Sequence, residues 1–344
     1  MMYDLLIQTN LTMYAEEGMT PGGTERQILT VATELADRGV DVGILHSHAK
    51  GTDRIVQGVK HLNMYRHHYD YSKVRLFCNQ FVYVGNMHYG YELNNPQIAP
   101  LSPIEMNSAE QSYLWFHNWM HTRNEMPKIF NSKAIQRYVY NNVYVSSEKT
   151  THDRVIPYMV PTGFKEIPAE KREKYLLWSS AFGKGFREAL LTYIALYERG
   201  LNREFYVCCP PQRVKKDLEI FERCIRDLNV NNYPVRWLGE LEYSKGMQML
   251  KNAACLFRPT MPPETFGLVY LEANKLGVPV ITMEGDAGEE ILTDKNNFII
   301  RRHHNLKDIQ NWLEDIETKQ TKVNLKQFDP DTICKKWISL LEKK

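Results

Sequence analysis

The sequence predicts an α/β protein of two domains, the second a doubly wound parallel sheet, and three observations predict it. Strand-like and helical patterns alternate through the second half, a strand–helix–strand unit opens the first, and a segment rich in proline and glycine lies between them. The 344 residues also exceed what one hydrophobic core usually serves.

Residues 3–9 form a short, continuous apolar run followed by polar and glycine-rich sequence, which reads as a buried strand. Ile28, Val31, Leu35 and Ala36 recur at helical spacing, Gly39 stands where a C-terminal cap belongs, and residues 40–45 return to strand character. Further strand candidates at 77–84, 113–116 and 128–130 are separated by Tyr- and Asn-rich stretches that blur their ends. In the second half, strands are expected at 175–179, 204–209, 235–238, 255–258, 278–283 and 298–300. Helical patterns separate them, the order of a parallel sheet whose ligand edge lies at the strand C-termini. Residues 155–163, with two prolines and a glycine, are the expected linker. The expected domains are 1–160 and 161–328, with a terminal helix in 329–344.

Composition excludes several classes. Hydrophobic residues at 43% and charged residues at 24% are ordinary globular usage, neither disordered nor fibrous. A net charge of +2 lacks the strong basic field of a nucleic-acid-binding domain. No apolar run approaches the roughly 20 residues of a membrane span, and Asp4 stands where a signal peptide would be basic; a cytoplasmic protein with at most peripheral membrane contact is expected. The six cysteines show no CxxC spacing and read as reduced packing residues.

The richest string runs Pro262-Pro-Glu264-Thr-Phe266-Gly267-Leu268-Val-Tyr-Leu-Glu272 and ends Gly277-Val-Pro279-Val. A strand ends at Arg258-Pro259, a turn carries Glu264, and a helix is expected to open near Phe266 and run to Gly277. The unpaired N–H groups around Phe266, Gly267 and Leu268, with the positive end of the helix dipole behind them, suit a diphosphate. Glu264 is placed to accept hydrogen bonds from sugar hydroxyls, and Glu272, two turns on, to bind the paired hydroxyls of a ribose. Taken singly, the two also fit a helix-start acid and a surface glutamate. A second signal, Gly22-Gly23 between the first strand and first helix, lets backbone approach a ligand at a helix N-terminus, though a flexible turn fits it as well.

Two glutamates eight positions apart around Phe-Gly-Leu, followed by Gly-Val-Pro-Val, resemble the signature of retaining family-4 glycosyltransferases of the GT-B fold (glycosyl transferases group 1). The resemblance is dense from Trp178 to Val280 and thin before it. It implies two Rossmann-like domains facing across a cleft, with the terminal helix crossing back onto the N-terminal domain. Glu264 would contact the donor sugar, Phe266, Gly267 and Leu268 would reach sugar and phosphate through the backbone, and Glu272 would hold the ribose. Gly22 and Gly23 would close over the diphosphate, and backbone near Gly239 would meet the base. In Trp178-Ser179-Ser180-Ala-Phe-Gly183-Lys184, Lys184 matches the family lysine that neutralises the leaving diphosphate, but Ser179 and Ser180 stand where the family carries an arginine. A serine hydroxyl, Arg187 or Arg258 is left to replace it. His117, in Leu114-Trp-Phe-His117, resembles the family histidine at the catalytic cleft; a core histidine among aromatics is the other reading.

The function so implied is retaining transfer of a sugar from a UDP- or GDP-linked donor to a hydroxyl of a glycan or other acceptor, without metal or cofactor. A nucleotide-sugar epimerase of the same fold and a non-catalytic nucleotide-sugar-binding subunit are the alternatives. Asp329-Pro330-Asp331 spells a metal-binding Asp-x-Asp but precedes a helix and reads as a cap, and the adjacent pairs His67-His68 and His303-His304 do not put two imidazoles on one face. Asn131-Ser132-Lys133 ends a strand and is assigned no role.

Overall fold

A computed structural model describes residues 2–9, 23–46, 54–63, 77–85, 109–116, 127–141, 151–160, 165–208, 226, 233–259, 264, 266–285 and 287–342. The chain forms two compact units, Met1–Met159 with Lys326–Lys344, and Val160–Leu325.

In the first unit, β1 (Met2–Thr9) pairs in parallel with β2 (Val42–His46) across the helix α1 (Gly23–Ala36). Leu6, Ile7 and Ile44 of the strands and Ile28, Val31 and Leu35 of the helix are fully buried, as the apolar patterns predict. β3 (Arg54–Val56), β4 (Val59–Asn63), β5 (Phe77–Gly85), β6 (Ala109–Phe116), β7 (Lys128–Phe130) and β8 (Arg154–Val155) complete an eight-stranded sheet of order β3-β4-β2-β1-β5-β6-β7-β8. Only β3 with β4 is antiparallel among its pairings. That hairpin was not anticipated. Its turn is Gln57-Gly58, both at positive φ (49° and 76°), the twist a two-residue hairpin needs. β8 overlaps the start of the stretch expected to be linker, at Val155, because two residues of strand beside Pro157 leave no periodic signal. α2 (Lys133–Asn141) follows β7 and is capped by Ser132, whose Oγ accepts from the Ile135 N–H at 3.1 Å.

The second unit holds β9 (Leu176–Ser179), α3 (Phe186–Tyr197), β10 (Phe205–Cys208), β11 (Val235–Gly239), α4 (Tyr243–Asn252), β12 (Cys255–Arg258), α5 (Leu268–Lys275), β13 (Val280–Met283), the short α6 (Gly288–Ile291), β14 (Phe298–Ile300) and α7 (Leu306–Glu314). Its six strands are all parallel, in the order β11-β10-β9-β12-β13-β14. Along the central strands Leu176, Trp178, Phe205, Cys255 and Phe257 join one buried cluster with α3 and α7, and the intervening Leu177 and Leu256 are buried too, so both faces are covered. The chain runs from β9 outward to β11, then returns beside β9 as β12 and continues the other way. A ligand crevice in such a sheet forms at this reversal, beyond the strand C-termini.

α8 (Pro330–Leu341) packs on the first unit, burying Ile333, Cys334, Trp337 and Leu340 along one face. Asp329 caps it, accepting from the Thr332 N–H at 3.0 Å, and Pro330 occupies the first turn. The Trp337 ring meets Trp115 of β6 edge to face, centroids 4.8 Å apart, and Arg38, in the turn after α1, bonds Asp331 at 2.5 Å. No helix among the described residues is long and apolar enough to cross a membrane.

Trp337 is 1% exposed and its Nε1 makes no hydrogen bond. Trp337→Ala is therefore expected to destabilise the chain by about 3–5 kcal/mol, whereas Trp337→Phe, which keeps a ring and removes the unpaired donor, costs less than about 1.5 kcal/mol. Denaturant unfolding of the two variants checks this order.

Candidate functional site

The reversal of the sheet brings three charged side chains together. Leu256 lies opposite Leu177 in the β9–β12 ladder, so Arg258 leaves β12 level with Ser179 at the end of β9. Beyond β9 the chain bends sharply. The Trp178 Nε1–H donates to the Ser180 carbonyl at 3.0 Å, the Lys184 N–H to the Ala181 carbonyl at 3.1 Å, and Gly185 takes a left-handed φ of 85° as the N-cap of α3. This turn holds Lys184 with its ammonium 2.9 and 3.1 Å from the two oxygens of Glu264. From the other side the Arg258 Nη1–H donates to Glu264 Oε1 at 2.7 Å.

The three differ in exposure. Glu264 is 7% and Arg258 1% exposed, whereas the Lys184 side chain is 52% exposed. Burial works to raise the Glu264 pKa, but the charges and hydrogen bonds of Lys184 and Arg258 outweigh it and hold the carboxyl at about 2, well below its ordinary 4.5. Glu264 is therefore an anion at neutral pH. Two cations share its one negative charge.

The helix after Glu264 begins at Leu268, two residues later than the sequence predicts, because Gly267 leaves helical geometry. It is the N-cap at φ 82° and ψ 61°, with no side-chain cap and no acidic residue in the first turn. The N-cap thus offers no side-chain oxygen to the backbone N–H groups at the start of α5, and the first turn of the helix carries no carboxylate. Glycine is required there, since a Cβ would stand 2.4 Å from Cδ2 of Tyr270. Glu272 lies on the same helix and is 6% exposed, not on the surface, and the Tyr243 hydroxyl donates to its Oε1 at 3.0 Å. Tyr243 opens α4, the helix after Gly239, which ends β11 at φ 71°.

The second unit thus brings together Lys184, Arg258 and Glu264, sets Ser179 and Ser180 at the end of β9, and puts Phe266, Gly267, Leu268 and Glu272 in or just before α5. Arg187 lies in the first turn of α3 and is exposed. In the first unit Gly23 starts α1; Gly22 and His117 lie outside the described residues. Sequence reasoning missed Tyr243, Tyr270 and the aromatic setting of Arg258. Tyr243 had a signal, as the first residue of a helix after a positive-φ glycine, but nothing local ties it to Glu272, 29 positions on.

Comparisons with known proteins agree with this architecture. The chain has the GT-B fold: it superimposes on sucrose-phosphate synthase from Thermosynechococcus elongatus with a TM-score of 0.71 at 14% identity, covering 98% of this chain and 97% of that one. A glycosyltransferase from Rickettsia africae gives 0.66 at 12% identity over 99% and 98% of the two chains. Anabaena HepE, solved in complex with UDP-glucose, gives 0.65 at 13% identity over 98% of both. Residues 216–328, which include Arg258, Glu264 and Glu272, match the family model of glycosyl transferases group 1. No curated protein sequence matches the chain.

Gly267→Ala is expected to cost about 2–4 kcal/mol, from left-handed strain together with the clash on the Tyr270 ring. Chemical denaturation reads it; a variant as stable as the parent would mean that α5 starts elsewhere.

Proposed function

We propose that this chain is a glycosyltransferase that moves a sugar from a nucleoside diphosphate donor, UDP- or GDP-linked, to a hydroxyl of a glycan or other acceptor with retention of anomeric configuration. The observation that carries the reading is the buried Glu264 carboxylate, bridged by Lys184 and Arg258 at the sheet reversal and followed by an uncapped helix start. Such a carboxylate accepts hydrogen bonds from a polyol without being able to protonate it. The match of residues 216–328 to glycosyl transferases group 1 supports the reading, as does the likeness in fold to HepE, solved with UDP-glucose.

On this reading Glu264 orients the donor sugar, and the backbone of Phe266, Gly267 and Leu268 contacts sugar and phosphate. Lys184 faces the diphosphate, Glu272 binds the ribose under the hold of Tyr243, and Gly239 lies by the base. Ser179 and Ser180 offer hydroxyls to the phosphate in place of an arginine. The resemblance to glycosyl transferases group 1 assigns further donor contacts to Gly22, Gly23 and His117. As the bond from the anomeric carbon to the phosphate oxygen breaks, the electron pair goes to the diphosphate. The acceptor oxygen then bonds to the same face of that carbon, and its proton passes to the departing phosphate oxygen. Lys184 and the helix dipole stabilise the growing charge in the role a metal ion fills elsewhere, so no metal is required.

A panel of UDP- and GDP-sugars tests this directly. Turnover is expected to persist in EDTA, and NMR of the product to show the anomeric configuration of the donor; loss of turnover on chelation, restored by manganese or magnesium, would overturn the metal-free mechanism. Lys184→Ala is expected to lower kcat by about 100-fold, the usual effect of removing one preorganised charge. The same variant is expected to bind an uncharged donor analogue almost unchanged. Retention of most activity in Lys184→Ala would assign the diphosphate to another cation.

A further inference from the structure

The guanidinium of Arg258 is enclosed in a way that fixes what it can touch. It lies over two aromatic rings, 5.1 Å from the Trp178 centroid and 5.4 Å from that of Tyr270, within cation–π range of both. Both rings are themselves held. The Trp178 Nε1–H bonds the Ser180 carbonyl, and the Tyr270 hydroxyl shares a 2.9 Å hydrogen bond with Thr282 while its ring packs under Gly267. One arm of the fork, Nη1, meets Glu264 and the other, Nη2, lies 3.4 Å from the Lys184 carbonyl. With 1% of the residue exposed, Arg258 reaches a ligand only by leaving both rings and stripping Glu264 of its closest cation.

We infer that Arg258 is a positioning residue: it holds the Glu264 carboxylate in place, and it touches neither the diphosphate nor the sugar. The inference rests on the proposed role of Glu264 as a donor-sugar ligand. It divides the labour of two cations that share one carboxylate. Lys184, half exposed, is the one available to a phosphate; Arg258 acts on the donor through Glu264 alone. Among the described residues, the charged groups facing Glu264 are Lys184, from the turn after β9, and Arg258, from β12. Removing Arg258 leaves the buried carboxyl with one exposed partner, so its pKa rises.

Arg258→Met and Arg258→Lys separate this role from a phosphate contact. Arg258→Met is expected to lower kcat by about 30-fold. Affinity for UDP and GDP, which lack the sugar, is expected to change by less than about threefold. Arg258→Lys restores charge but not the fork, and is expected to recover only part of the loss. Carbon-13 NMR of the glutamate carboxyls, with Glu264 assigned through Glu264→Gln, gives a readout free of activity. In the parent the Glu264 signal stays ionised to about pH 3, and in both variants its midpoint moves up. A tenfold or greater loss of UDP or GDP affinity would make Arg258 a phosphate ligand and overturn the inference, as would an unmoved midpoint in folded Arg258→Lys. A displaced midpoint in a chain that transfers no sugar would instead refute the glycosyl-transfer reading and leave the pairing of Arg258 with Glu264 standing.

Discussion

A carboxylate removed from water stays charged only where cations meet it, and at the reversal of the second sheet Glu264 is met by two. Everything else in the candidate site is arranged around that requirement. One cation comes from the turn after β9 and the other from the end of β12, strands far apart in sequence that the parallel sheet sets side by side. The ion pair therefore joins the two loops a ligand at this edge would have to touch. Breaking it would leave a buried charge with too little compensation, which costs far more than an exposed salt bridge is worth.

The aromatic residues make the arrangement rigid. Trp178 is anchored in the core of the unit and Tyr270 in α5, so the guanidinium over both rings ties the sheet to the helix whose N-terminus faces the ligand edge. Tyr270 serves twice, because the ring that covers Arg258 also occupies the space that a side chain at residue 267 would need. The left-handed glycine, the uncapped helix start and the buried arginine are in this sense one packing solution. Where the resemblance leads one to expect an arginine near Ser179 and Ser180, the second cation at this strand edge comes from β12 instead. It bonds the carboxylate through Nη1 and the Lys184 carbonyl of the turn through Nη2.

Much of this was legible in the sequence, for a physical reason. Strands of a doubly wound sheet are short apolar runs, and the loops and helix starts at the sheet's C-terminal edge follow them directly, so Lys184, Glu264 and Glu272 stand in strings whose local pattern announces a strand end or a helix start. The hairpin of β3 and β4 was not legible, because its turn is Gln57-Gly58 and not the Asn-Gly or Asp-Gly that signals a two-residue connection. The start of α5 was misjudged by two residues, since the helical pattern extends back through Phe266 while Gly267 takes a left-handed φ of 82° that ends the helix there. Long-range partners were the larger gap. Arg258 was one of several cations available to a phosphate; that Trp178, eighty positions earlier, and Tyr270 enclose it depends on packing that no local pattern encodes.

The most direct measurement is a structure of the chain with a bound nucleoside diphosphate sugar. The account predicts a phosphate oxygen within hydrogen-bonding distance of Lys184 Nζ and of the backbone at the start of α5, sugar hydroxyls on Glu264, ribose hydroxyls on Glu272, and Arg258 still over the rings of Trp178 and Tyr270. A diphosphate bound away from the sheet reversal, or one contacted by the Arg258 guanidinium, would contradict it.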